Sequence, residues 1–189
     1  MEITDFLDQV AANYFGVVYA TKAVLPVMRK QQQGWIINIS SIGGRFGTPG
    51  LGAYQSAKFA VSGFTEVLAK EVATLGIKVT AVEPGGIATD WAGSSMTIPP
   101  ISEPYLPVIG AVASHLQDMN AASAEDRIGQ LSDPAKIAGV VCQLTEMSDP
   151  PVRLLAGTTA WDIARKEAAR LAESDARYEA LTKSTVYTE

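Results

Sequence analysis

The stretch NISSIGGRFGTPGLGAYQSAK (residues 38–58) sets a strand end, a glycine-rich turn and a helix start side by side. Around its start, WIINIS (35–40) is a short apolar run with β-branched residues, bounded by Gly34 and the SSIGG turn, and predicts a buried strand. After the turn, Ala57, Ala60, Val61, Phe64, Val67, Leu68 and Val72 recur at helical spacing, predicting a helix over 53–75 that Gly76 closes. IKVTAVEP (Ile77–Pro84) then reads as a second buried strand. On the upstream side, Val10, Tyr14, Val17, Val18, Val24, Leu25 and Met28 predict a helix over 5–32, with Pro26 bending or tightening its end. Helix–strand–helix–strand with short links implies parallel strands and an α/β sheet.

Further on, the pattern loosens over 91–123, with prolines at 99, 100, 104 and 107, and predicts a loop-and-helix excursion covering something. Asp133 as N-cap and Pro134 at the first position predict a helix over 133–145. PVRLLAG (151–157) predicts a short third strand, and 159–183 a charged amphipathic helix. There is no internal repeat, low-complexity tract or linker. One unit is expected over 1–189, divided into a core (1–90), a covering segment (91–130) and a last strand with C-terminal helices (131–189).

A chain of 189 residues suits one domain with a sizeable core, and 47% hydrophobic with 19% charged residues is a globular balance. The net charge of −5 and the lack of a basic run argue against a nucleic-acid partner. Lys, Pro or Gly breaks every apolar run before about 18 residues, so no membrane span or membrane partner is expected. MEITDFLDQV lacks a basic segment followed by an apolar one and is not expected to be a secretory signal. Cys142 is the sole cysteine, which excludes an internal disulfide and makes a cytoplasmic location the default expectation. Metal ligands at recognisable spacing are absent, so no metal is expected.

Tyr54 and Lys58, four apart at a helix start, share one face. A neighbouring ammonium favours the phenolate, so the pair predicts a tyrosine lowered toward neutrality and able to act as general acid or base. Alone the pair also fits an ordinary half-exposed helical contact. Ser40 and Ser41 end a buried strand, where open parallel sheets bind ligands, and one of them is expected to serve only as a cap. EPGGIATD (83–90) brings a second glycine- and hydroxyl-rich turn to the same sheet edge. His115, the only histidine, is expected to pack in the covering segment, and Asn38-Ile39-Ser40, though a glycosylation pattern, sits in a buried strand.

The joint pattern resembles the short-chain dehydrogenase/reductase family: NYFG on a helix, INISS on a strand, YQSAK opening the next helix, then PGGIAT after the next strand. Order and spacing agree along 5–90, and Ser41 stands at the family's serine spacing, 13 positions before Tyr54. The resemblance implies the catalytic half of a Rossmann-like doubly wound parallel sheet. It implies that Tyr54 is the acid/base, Lys58 its activator and a ribose ligand, Ser41 the residue orienting the substrate oxygen, and Asn13 the support of a water relay. Pro84, Gly85, Ile87 and Thr89 match the turn beside the nicotinamide. The implied reaction is reversible hydride transfer between NAD or NADP and an alcohol/carbonyl pair. A weaker resemblance of the tail to the 17β-hydroxysteroid and retinol dehydrogenase branch accompanies it. Phe46 and Leu51, with Trp91, Met96 and Tyr105 of the covering segment, make either an apolar substrate pocket or ordinary core under a long loop. The helices over 5–32 and 53–75 match those the family uses to oligomerise, so a homo-oligomer is expected.

The family's Gly-x-x-x-Gly-x-Gly phosphate loop does not occur in these 189 residues. Relative to the family, on the order of 100 residues are expected to be absent, leaving the nicotinamide half-site. A second reading follows: an inactive fragment or pseudoenzyme, acting at most as an interaction module. An epimerase or dehydratase of the extended branch is a distant third, because it needs a larger C-terminal domain.

Overall fold

The computed structural model describes residues 1–89, 99–121 and 131–187. Three parallel strands form the sheet in the order β1 (Gly34–Ile39), β2 (Ile77–Pro84), β3 (Arg153–Ala156). Gly34 pairs with Ile77 and Ile39 with Val82 across the first ladder; Ala81 pairs with Arg153 across the second. β2 lies between the other two and is buried almost throughout, its polar Thr80 and Glu83 included. The predicted strands thus stand where the sequence put them, within two residues of their ends.

Ahead of the sheet runs one helical rod made of α1 (Ile3–Val10), a π-helical turn (Ala11–Phe15) and α2 (Gly16–Gln31). Pro26 is carried inside α2 without ending it, and Gln32 closes it in the left-handed conformation at φ 51°. By length and composition alone this rod is long and apolar enough to cross a membrane, a test that core helices of soluble proteins also pass. Gly16, Lys22 and Pro26 interrupt the apolar run but not the helix. Its inner side is committed to the sheet layer: Thr21 is buried, Leu25 and Met28 pack on the first core cluster, and Tyr14 meets Phe64 edge-on at 6.3 Å.

α3 (Gly52–Val72) crosses over from β1 to β2 and lies on one face of the sheet, where Leu68 and Val72 pack on Ile36, Ile77 and Val79. α5 (Pro134–Glu146) covers the other face, with Leu144 against Val82 and Ala156. Asp133 caps α5 by accepting from the Ala135 amide at 2.8 Å, as its place before Pro134 predicts. The covering segment contributes α4 (Ala111–Ala121), and the tail forms α6 (Thr158–Arg177) and a short α7 (Glu179–Lys183).

Gly76 fixes the entry to β2. Its φ of +69° lies in the left-handed region, and a Cβ there would run into the Gln32 carbonyl, which is backbone and cannot step aside. Gly76→Ala is expected to destabilise the fold by about 2 kcal/mol, read as a lower urea midpoint at unchanged slope.

Candidate active site

The Ser40 amide donates to the Val82 carbonyl at 2.8 Å, which registers the end of β1 on β2, and the Gly85 amide donates to the Ala156 carbonyl at 3.0 Å, which registers the end of β2 on β3. Adjacent serines then part company. Ser40 turns into the protein, its Oγ 2.8 Å from Ser62 Oγ and 3.1 Å from the Lys58 carbonyl. Ser41 caps the next turn by accepting from the Gly43 amide at 3.0 Å and is hydrogen-bonded to Tyr54. The turn lies backbone to backbone on α3: a Cβ on Gly44 would stand 2.9 Å from the Lys58 carbonyl oxygen. Only glycine allows that approach, and it holds Ser41 beside Tyr54.

Tyr54 and Lys58 occupy the first turns of α3. Lys58 Nζ donates to the Ile39 carbonyl at 3.0 Å and lies 5.6 Å from the centre of the Tyr54 ring. Burial pushes the Tyr54 hydroxyl above the usual tyrosine value, with the Ser41 hydrogen bond pulling partly the other way. Burial also pushes Lys58 below the usual lysine value. This corrects the expectation that Lys58 lowers Tyr54 toward neutrality: desolvation disfavours both charged forms here and outweighs their attraction.

These side chains open onto a cavity of about 470 Å³. Asn13, Ser41, Tyr54, Lys58, Pro84, Gly85, Ile87 and Thr89 all line it, together with Phe46 and Leu51 from the glycine-rich turn. Asn13 sits in the π-helical turn, its amide donating to the Gln9 carbonyl at 3.1 Å and to Gln9 Oε1 at 3.0 Å. A widened turn of this kind is frequent at functional sites. Tyr105 departs from the expectation: it is 60% exposed and does not line the cavity. Its 3-10 turn precedes α4, so the side chain is carried outward. Trp91 and Met96 lie outside the described residues.

Other residues at the site have no local signal in the sequence. His115 and Leu116, on α4, line the cavity. Gln55 is buried, its Oε1 accepting from the Thr48 amide at 2.6 Å and its Nε2 donating to Thr48 Oγ1 at 3.1 Å, which clamps the turn to α3. Ile87 bridges to Ser132, bringing Leu131 to the cavity wall. Asn38 donates to Thr65 Oγ1 at 2.9 Å from a buried position and has a packing role.

Residues 1–97 match the sequence profile of the family described as short chain dehydrogenase. The chain is 50% identical over 182 residues to the oxidoreductase BOA17 of Botryotinia fuckeliana (strain B05.10), covering 96% of this chain and 64% of that protein. It is 40% identical over 149 residues to a 3-ketodihydrosphingosine reductase of Bacteroides thetaiotaomicron, covering 79% of this chain and 53% of that protein. Among solved structures, a short-chain dehydrogenase from Streptomyces avermitilis matches with a TM-score of 0.84 at 29% identity, over 97% of this chain and 64% of that one. The chain therefore spans between half and two thirds of the length of these proteins.

Proposed function

This chain belongs to the short-chain dehydrogenase family, and from that premise we propose that it carries reversible NAD(P)-linked hydride transfer between an alcohol and a ketone or aldehyde. One observation carries the reading: Ser41, Tyr54 and Lys58 meet at one cavity beyond the carboxyl ends of β1 and β2.

A nicotinamide cofactor, when bound, supplies or accepts the hydride. The residues present suit its nicotinamide side. Lys58 offers an ammonium, Tyr54 and Thr89 offer hydroxyls, and the Pro84–Ile87 turn offers an apolar floor pressed against the start of α6, where Gly85 leaves room for the Ala160 amide. Ser41 orients the substrate oxygen by hydrogen bonding. In oxidation the alcohol's hydroxyl proton would pass to the Tyr54 phenolate; in reduction the Tyr54 phenol would return it. Lys58 would stabilise that phenolate, and Phe46, Leu51 and Ile87 would keep water out.

Those apolar walls favour an apolar alcohol or ketone. The test is a panel of long-chain, cyclic and short polar ketones with NADH and NADPH, followed at the nicotinamide absorbance. Turnover of the apolar members supports the reading, and turnover of small polar ones alone dismisses it.

The pH dependence follows from the direction of the Tyr54 shift. Oxidation needs the phenolate, so kcat/KM for the alcohol is expected to climb into the alkaline range, about tenfold per pH unit below the pKa. Reduction needs the protonated phenol and is expected to be level through neutrality, falling only at alkaline pH. An oxidation rate already level at pH 7 contradicts this.

The apolar side chains exposed along the helices favour a second reading, an inactive form that acts through them. Both readings share a proposed homo-oligomer. Phe15 and Tyr19 stack at 6.0 Å on the outer side of the rod, with Val27 exposed on the same helix, and Phe59 and Val67 stand exposed on α3. Tyr19→Glu with Val67→Glu is expected to convert a dimer or tetramer to monomer in light scattering, with unchanged circular dichroism.

A further inference from the structure

The face of the sheet beneath α3 changes character along the strands. Near the strand starts Ile36 and Val79 meet Leu68 and Val72. One step on, Asn38 bonds Thr65. At the strand ends the contact is wholly polar, between Ser40, Ser62 and Glu83.

Glu83, next to last in β2, is 0% exposed, and a buried carboxylate must find partners. They come from three elements. Arg45 Nε, in the turn after Ser41, donates at 2.6 Å; Arg153 Nε, at the start of β3, donates at 2.7 Å; Ser62 Oγ, on α3, donates at 2.9 Å. An ionised carboxylate only accepts, so Ser62 commits its proton to Glu83 and its oxygen is left to accept from Ser40. Ser40 Oγ in turn neighbours the Lys58 carbonyl. Glu83 itself does not line the cavity.

Resting on the reading of Ser41, Tyr54 and Lys58 as the reaction centre, we infer that Glu83 is a positioning residue: its buried carboxylate ties the Ser41 turn, through Arg45, to the Lys58 helix, through Ser62. The serine side and the tyrosine–lysine side of the centre are held at one spacing by this anchor. A third bond, to Arg153, fastens the anchor to β3.

The test uses Glu83→Gln and Ser62→Ala in the 189-residue chain, with two readouts. The first is hydrogen exchange at the Gly43, Gly44 and Arg45 amides against those of Val79 and Val82. Glu83→Gln is expected to speed exchange in the turn about tenfold while the β2 amides stay within about twofold. The second is steady-state kinetics with NADH or NADPH: kcat is expected to fall about tenfold with the cofactor KM within about threefold. Ser62→Ala keeps both arginine pairs, so it is expected to lower kcat without loosening the turn. Equal loosening of turn and β2, or no loosening, overturns the inference, as does a raised KM at unchanged kcat. Should Glu83→Gln fail to fold, an unaltered kcat in Ser62→Ala overturns it. A wild-type chain that turns over no ketone defeats the proposed function instead, and the exchange measurement alone then decides the role of Glu83.

Discussion

Tyr54→Phe is expected to lower kcat about 10³-fold, because it removes the hydroxyl proposed to pass a proton to the substrate oxygen. The ring remains, so its packing at the start of α3 and the 470 Å³ cavity are retained. What goes is the hydroxyl that bonds Ser41. Thermal unfolding should therefore shift little, and the cofactor KM should change only a few-fold, since Lys58 keeps its bond to the Ile39 carbonyl. A variant keeping activity within tenfold of wild type would mean that another group or solvent moves the proton. His115, the remaining acid–base side chain on the cavity wall named above, would then be the next residue to replace.

Leu144→Ala should do the reverse. Leu144 is 0% exposed, between Val82 of β2 and Ala156 of β3, with Ile37, Ile137, Val141 and Leu154 around it. Truncation removes its apolar contact and leaves a cavity that neighbours on three strands and a helix cannot collapse to fill. The expected cost is about 3 kcal/mol, measured by urea or thermal unfolding. Per folded molecule, kcat should stay near wild type, because Leu144 lies on the sheet face opposite α3. A destabilisation under about 1 kcal/mol would mean that α5 is less firmly seated than its burial implies. Taken together, the two variants separate loss of chemistry from loss of fold.

The sequence spoke most clearly where physics is local. β2 was readable to its ends because the β-branched and apolar Ile77, Val79, Ala81 and Val82 run between Gly76 and the PGG turn. Asp133 and Pro134 announced α5 because capping depends on adjacent residues alone. Ser41, Tyr54 and Lys58 stand out because they lie within one 21-residue stretch.

Glu83 was read as part of a buried strand and of the turn after it, but nothing near it in sequence names the partners its carboxylate finds. Its partners Arg45 and Arg153 lie 38 and 70 positions away. The direction of the Tyr54 shift was misjudged for a related reason: spacing reveals a neighbouring charge, but desolvation depends on how the whole chain closes over the pair. Tyr105 was assigned to the cavity by proximity in the chain, whereas the turn before α4 carries it outward. The π-helical turn at Asn13 was not foreseen either, since the helical spacing of the apolar residues runs through it unbroken.

The central claim is that the nicotinamide side of a working reductase site is built by these residues. Titrating the purified chain into NADH and, separately, NADPH while following nicotinamide fluorescence tests it most directly. Saturable binding at micromolar concentration, weakened by Lys58→Ala and little altered by Leu144→Ala, is the predicted result. No binding of either nucleotide at millimolar concentration would contradict the account.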